Sequence, residues 1–151
     1  MVENLYNDRI LKLAASLSKV GRIECAEFSS EAISRLCGSK VTVDIDISKN
    51  TVNSFSHIVK ACALGQASSS VMAKNIIGTD IYELLDLKTK MRDMLKCDGP
   101  PPSGKWSDLE VLQPVKGYKG RHSSVLLTFD AVEDCINQYL LKSEKSNGEI
   151  S

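Results

Sequence analysis

The middle of the chain alternates strictly between apolar and polar positions, and helical spacing takes over on either side of it. Val41, Val43, Ile45 and Ile47 point one way while Thr42, Asp44 and Asp46 point the other, the period-two pattern of a half-buried antiparallel strand. Ser48-Lys49-Asn50 supplies a turn, and Thr51 to Ala61 returns as a further strand carrying Val52, Phe55, Ile58 and Val59. Upstream, Ala26 to Leu36 alternates more weakly through Ala26, Phe28, Ser30, Ala32 and Ser34, and is read as the first strand of a three-stranded meander. Before it, Leu5 to Leu17 forms an amphipathic helix, with Ile10, Leu13, Ala14 and Leu17 on one face behind Leu5 and Tyr6, ended by Gly21.

Past Cys62 the pattern turns helical. A small-residue helix runs to about Ile77 and is closed by Gly78. Asp80 with Glu83 starts another, whose apolar positions are Ile81, Leu84, Leu85, Met91 and Leu95, with a break near Leu87. Asp98 to Gly104, containing Pro100-Pro101-Pro102, is a loop. Trp106 to Leu112 reads as a short helix, with Ser107 and Asp108 near its start, and Pro114 and Gly117 break the chain after it. Val125, Phe129, Val132, Ile136 and Leu140 mark the buried stripe of a last helix, with His122, Ser123 and Ser124 at its N-terminal end. Residues 143–151 form a polar, frayed tail, there is no internal repeat, and the fold class is α+β, a single domain over 1–142 with helices packed on the sheet's apolar face.

A meander has a geometric consequence. The second strand runs away from Cys37 and the third runs back toward Cys62, so the two thiols belong at the same end of the sheet. Cys62 falls just before a helix, where unpaired N–H groups and the helix dipole favour a thiolate, the form that binds metal or attacks sulfur. His122, also at a helix start, is the third group of interest.

Composition narrows the classes. Lysine plus arginine equals aspartate plus glutamate, at 19 each, which argues against a bulk nucleic-acid binder. Lys116, Lys119 and Arg121 make a local basic stretch, read as a solvated loop. No apolar run reaches the length of a membrane span, and the N-terminal residues lack the pattern of a secretory signal, so a cytoplasmic or other reducing setting is expected. Five cysteines without tight spacing fit free thiols or ligands better than a disulfide framework. Cys135 reads as packing, Cys25 and Cys97 as ordinary thiols, Cys97 with a route to replacing a missing ligand, and His57 as a surface or half-buried polar residue.

These residues resemble a known family. Cys37-Gly38, then Cys62 followed by Ala67-Ser68-Ser69-Ser70, then His122 at the start of the last long helix are similar to the three site elements of NifU/IscU-type scaffold proteins of iron–sulfur cluster assembly, over Tyr6 to Tyr139. The resemblance implies a SufE/NifU-like fold. Asp108-Leu109-Glu110 with Leu112 resembles the insertion of the SufU branch, and Leu112-Gln113-Pro114-Val115-Lys116 resembles the L-P-P-V-K chaperone motif, its first proline replaced. Two positions depart from the family pattern: the aspartate of C-G-D is Ser39, and the third cysteine is Ser123.

What remains is Cys37, Cys62 and His122, a soft ligand set suited to iron or zinc with one open position. Ser39 and Ser123 are expected to orient it by hydrogen bonds and Arg121 to offset thiolate charge. The resemblance implies a non-enzymatic scaffold or carrier for iron or a [2Fe-2S] cluster, working with a cysteine desulfurase, with an Hsp70-type chaperone and apo-protein acceptors as further partners. A homodimer or a small thiol is one way to complete the shell. The alternatives are a SufU-like zinc protein accepting persulfide sulfur, a degenerate scaffold that has lost its site, and a Cys62–His122 hydrolase.

Overall fold

The computed structural model describes residues 7–36 and 38–150, with side chains to residue 145. The elements in order are α1 (Asp8–Ala15), β1 (Phe28–Ser34), β2 (Ser39–Ser48), β3 (Thr51–Lys60), α2 (Ala63–Asn75), α3 (Ile81–Lys96), a 3-10 segment (Gly104–Gly117), a 3-10 turn (Lys119–Arg121) and α4 (His122–Ile150). The sheet is the expected antiparallel meander, β1-β2-β3. Val41, Val43, Ile45 and Ile47 are buried under α4, as the alternation requires, while α2 packs against β3. Lys49 and Asn50 both take positive φ between the paired Ser48 and Thr51, which makes the hairpin a two-residue turn of the kind that matches strand twist. Tyr139 of α4 pins it, donating its hydroxyl to Asn50 Oδ1 at 2.9 Å and accepting from Asn50 N–H at 3.0 Å.

The opposite face of the sheet departs from a simple solvent face. Asp44 is 1% exposed because the crossover between α1 and β1 lies over it. Arg22 donates to its carboxylate at 2.6 and 3.1 Å, Ile23 N–H at 3.0 Å and Ser29 at 2.7 Å. Burial pushes the carboxyl up, but the Arg22, Ser29 and Ile23 hydrogen bonds outweigh it and hold Asp44 below the usual carboxylate range. The same crossover runs parallel to β3 at a Val20–His57 bridge, with His57 N–H bonded to Lys19 O and Gly21 N–H to His57 O. His57 is therefore wholly buried, not a surface or half-buried residue: its Nε2–H donates to the Ser18 carbonyl at 2.8 Å and its ring packs edge-on to Phe55. It pairs with Val43, so the period that buries Val43 buries it too.

Several boundaries also shift. The described part of the first helix starts at Asp8, with Asn7 capping Ile10 N–H, and ends at Ala15; Leu5 and Tyr6 lie outside the described residues. The third helix has no break, since Leu87 faces the core in a continuous α3 capped by Asp80, whose side chain accepts from Tyr82 N–H. The short helix expected at Trp106 is a longer 3-10 segment. Trp106, Leu109, Leu112 and Val115 are all buried and recur every third residue, the period of the 3-10 turn rather than of the α-helix. The last helix runs on to Ile150, through the stretch read as a tail.

Candidate functional site

Cys62 is the N-cap residue of α2, in extended backbone at φ −68°, with no side-chain cap bond. Its thiol lies instead 3.3 Å from the hydroxyl of Ser124, on the first turn of α4. Two small residues of the run after Cys62 make that meeting possible. A Cβ at Gly65 would sit 2.7 Å from Ala61 Cβ and 2.9 Å from Ser124 Oγ, so only glycine lets α4 come this close. Ser68, fully buried, donates to the Val125 carbonyl at 2.9 Å and locks the same approach. The small-residue motif thus serves first to dock the start of α4 against the start of α2.

The β1–β2 corner reaches the same place. Gly38 takes φ +69° with its N–H on the Ser34 carbonyl at 2.9 Å, and Ser34 pairs across the strands with Ser39. Both serines are buried, and the Ser34 hydroxyl is 2.6 Å from that of Ser123 on α4. Lys40 pairs with Lys60, so the Gly38 corner and Cys62 occupy one end of the sheet, as the meander argument requires. Cys37 itself lies outside the described residues. Among the described residues no three His, Cys, Asp or Glu side chains form a ready ligand group.

His122 opens α4 and is 5% exposed. Its Nε2 is 3.0 Å from the Val115 carbonyl and 3.1 Å from that of Lys116, at the end of the 3-10 segment. Carbonyls only accept, so Nε2 carries the hydrogen, and Nδ1 is the nitrogen left to offer a lone pair. The hydrogen-bond partner of the Cys62 thiol is Ser124 rather than His122. Arg121 is half-buried in the preceding turn. Beside His122 lies a cleft of about 380 Å³ lined by Leu95, Lys96, Lys116, Lys119 and His122. Lys116 and Lys119, read as a loop from sequence, are thus cleft walls, and Lys116 pairs with Asp98 at 2.7 Å.

The remaining thiols are apart from this arrangement in character. Cys135 is wholly buried on α4, and burial pushes its thiol up to about 12, which fits a packing residue. Cys25 and Cys97 are exposed, Cys97 as the C-cap of α3. Sequence reasoning gave Ser39 and Ser123 but missed Ser34, whose signal was its register opposite Ser39, and the direct contact of Ser124 with Cys62. Lys96 carries no sequence signal, since only the fold brings it to Lys116.

Residues 5–146 match the family model described as the NifU-like N-terminal domain. The chain belongs to that family. A crystal structure of a NifU-like protein, N-terminal part, from Brucella abortus is 47% identical, covers 91% of this chain and 95% of its own, and superposes with a TM-score of 0.89. The iron–sulfur cluster assembly scaffold protein IscU of Thermotoga maritima is 22% identical over 134 residues, 89% of this chain and 94% of that protein. A SUF-system scaffold structure from Fervidobacterium islandicum AW-1 shares the fold at TM-score 0.79 and 24% identity. The NifU-like fold expected from the sequence is the fold observed, and among the described residues no helix is long and apolar enough to cross a membrane.

Proposed function

We propose that this NifU-like protein is a non-enzymatic scaffold on which iron, or a [2Fe-2S] cluster, is assembled as cargo. Cys37 and Cys62 act as ligands and sulfur acceptors, and His122 acts as the third donor. The observation that carries the reading is the placement of the Cys62 thiol at the N-cap of α2, against the first turn of the helix that begins with His122. The donor chemistry fits. Two thiolates and an imidazole with its lone pair on Nδ1 are soft or borderline ligands, and the two carbonyls on Nε2–H orient the ring as a partner behind a metal-binding histidine does. Ser123 replaces a thiol with a hydroxyl bonded to Ser34, which leaves one coordination position for a partner protein, a second copy or a small thiol.

A cysteine desulfurase is the sulfur source this reading requires, and apo-proteins are the recipients. An Hsp70-type chaperone reading Leu112–Lys116 as an extended peptide must first unpack Leu112 and Val115, which are buried in the core.

The test is metal and acid-labile sulfide content of protein purified without oxygen, wild type beside Cys62→Ser. Iron and sulfide that disappear in the variant support the scaffold. Zinc alone, lost in the same variant, replaces it with a zinc-held persulfide acceptor, a sulfurtransferase by mechanism. Neither metal in either protein, before and after anaerobic reconstitution with a desulfurase, overturns both.

A further inference from the structure

The cleft beside His122 has a character that cluster assembly does not explain. Lys96 at the end of α3 and Lys119 in the turn before α4 enter no ion pair among the described residues. Lys116, between them, is neutralised by Asp98 at 2.7 Å. The chain as a whole has a formal charge of zero, so this unbalanced positive charge is local. The cleft also lies at the N-terminal end of α4, where the helix dipole adds to the same sign. Its wall also includes Leu95 and His122, both largely buried.

We propose that this cleft binds a small polycarboxylate. The volume of about 380 Å³ falls at the lower end of small-molecule sites and exceeds what one phosphate group fills. Carboxylates on a short carbon skeleton reach separate ammonium groups. Lysines act as movable point charges and suit spaced carboxylates, whereas a fixed bidentate grip on phosphate favours arginine. The seated ligand lies against His122, so the ring reports its arrival. The cleft needs no metal, and it shares His122 with the site of the scaffold reading.

The experiment uses the full metal-free chain, titrated with citrate, with inorganic phosphate and with glycerol at matched ionic strength. Calorimetry gives the affinity, and the imidazole resonances of His122 give the location, with buried His57 as internal reference. Citrate is expected to bind saturably and shift His122 alone. Lys96→Gln with Lys119→Gln is expected to weaken it by about tenfold or more, with thermal unfolding to confirm the fold. Asp98→Asn, which frees Lys116, is expected to tighten it. Phosphate binding as tightly as citrate overturns the ligand class. No saturable His122 shift, or affinity unchanged in both variants, overturns the site. Cys62→Ser metal content is read on separate protein, so either proposal can fail while the other stands.

Discussion

Single residues decide two behaviours of this molecule. Burial, with the nearby Lys19 charge, lowers the His57 pKa more than the Ser18 carbonyl raises it. As pH falls the unfolded chain takes up that proton first, so His57 contributes stability that is complete above about 6.5 and is lost below it. Asp44, held low, contributes stability that is complete above about 3.9 and is lost as pH falls through its lower folded value. Thermal midpoints against pH should therefore decline in two stages, and His57→Gln should flatten the first while leaving the second. Asp44→Asn should remove the second and cost about 1–3 kcal/mol at neutral pH in urea unfolding. Asp44 was misplaced because a period of two assigns a face but says nothing of a crossover segment that covers the polar face. His57 was misplaced because its register opposite Val43, on the apolar face, is set by strand pairing and not by its neighbours in sequence.

At the scale of elements, the site is a consequence of how closely α4 approaches α2. Gly65→Ala puts a methyl group 2.7 Å from Ala61 Cβ and 2.9 Å from Ser124 Oγ. It should destabilise the fold by about 1–3 kcal/mol and move the start of α4 away from Cys62, read as weakened iron retention in protein that still folds. Leu112→Ala leaves a cavity under the 3-10 segment and should cost about 2–5 kcal/mol in urea unfolding. The meander was legible because its period of two ran from Val41 to Ile47 in β2, and because Ser48-Lys49-Asn50 marked the hairpin. The 3-10 segment was not, although its signal was present. Trp106 to Leu112 reads as a short helix from its capping residues, a stretch too short to separate a period of three from one of 3.6, and Pro114 reads as a break in the chain although it lies within the segment.

For the whole molecule, the proposed site gathers four parts of the chain: the β1–β2 corner, the start of α2, the end of the 3-10 segment and the start of α4. Metal bound there stabilises only the state in which all four are assembled, so unfolding midpoints should rise with iron concentration in wild type and not in Cys62→Ser. Ser123→Cys, which supplies a third thiol where the hydroxyl now meets Ser34, should lengthen the lifetime of a reconstituted cluster, followed by its visible absorbance under chelator. Cys62 and His122 were legible as candidates because each stands at a helix start with distinctive neighbours. Their hydrogen-bond partners, Ser124 for the thiol and the Val115 and Lys116 carbonyls for the ring, depended on helix packing that no local pattern encodes.

The crossover that covers Asp44 has one more effect. By running beside β3 with backbone bonds on both sides of Val20, it occupies hydrogen-bonding groups of that strand at the sheet's edge. On the other edge strand, Gln138 of α4 donates its amide to the Ser29 carbonyl at 2.9 Å. A three-stranded sheet is a natural template for strand addition and fibril growth, and here each outer strand carries a plug. Extending the sheet at Ser29 or beside His57 must therefore first displace these bonds.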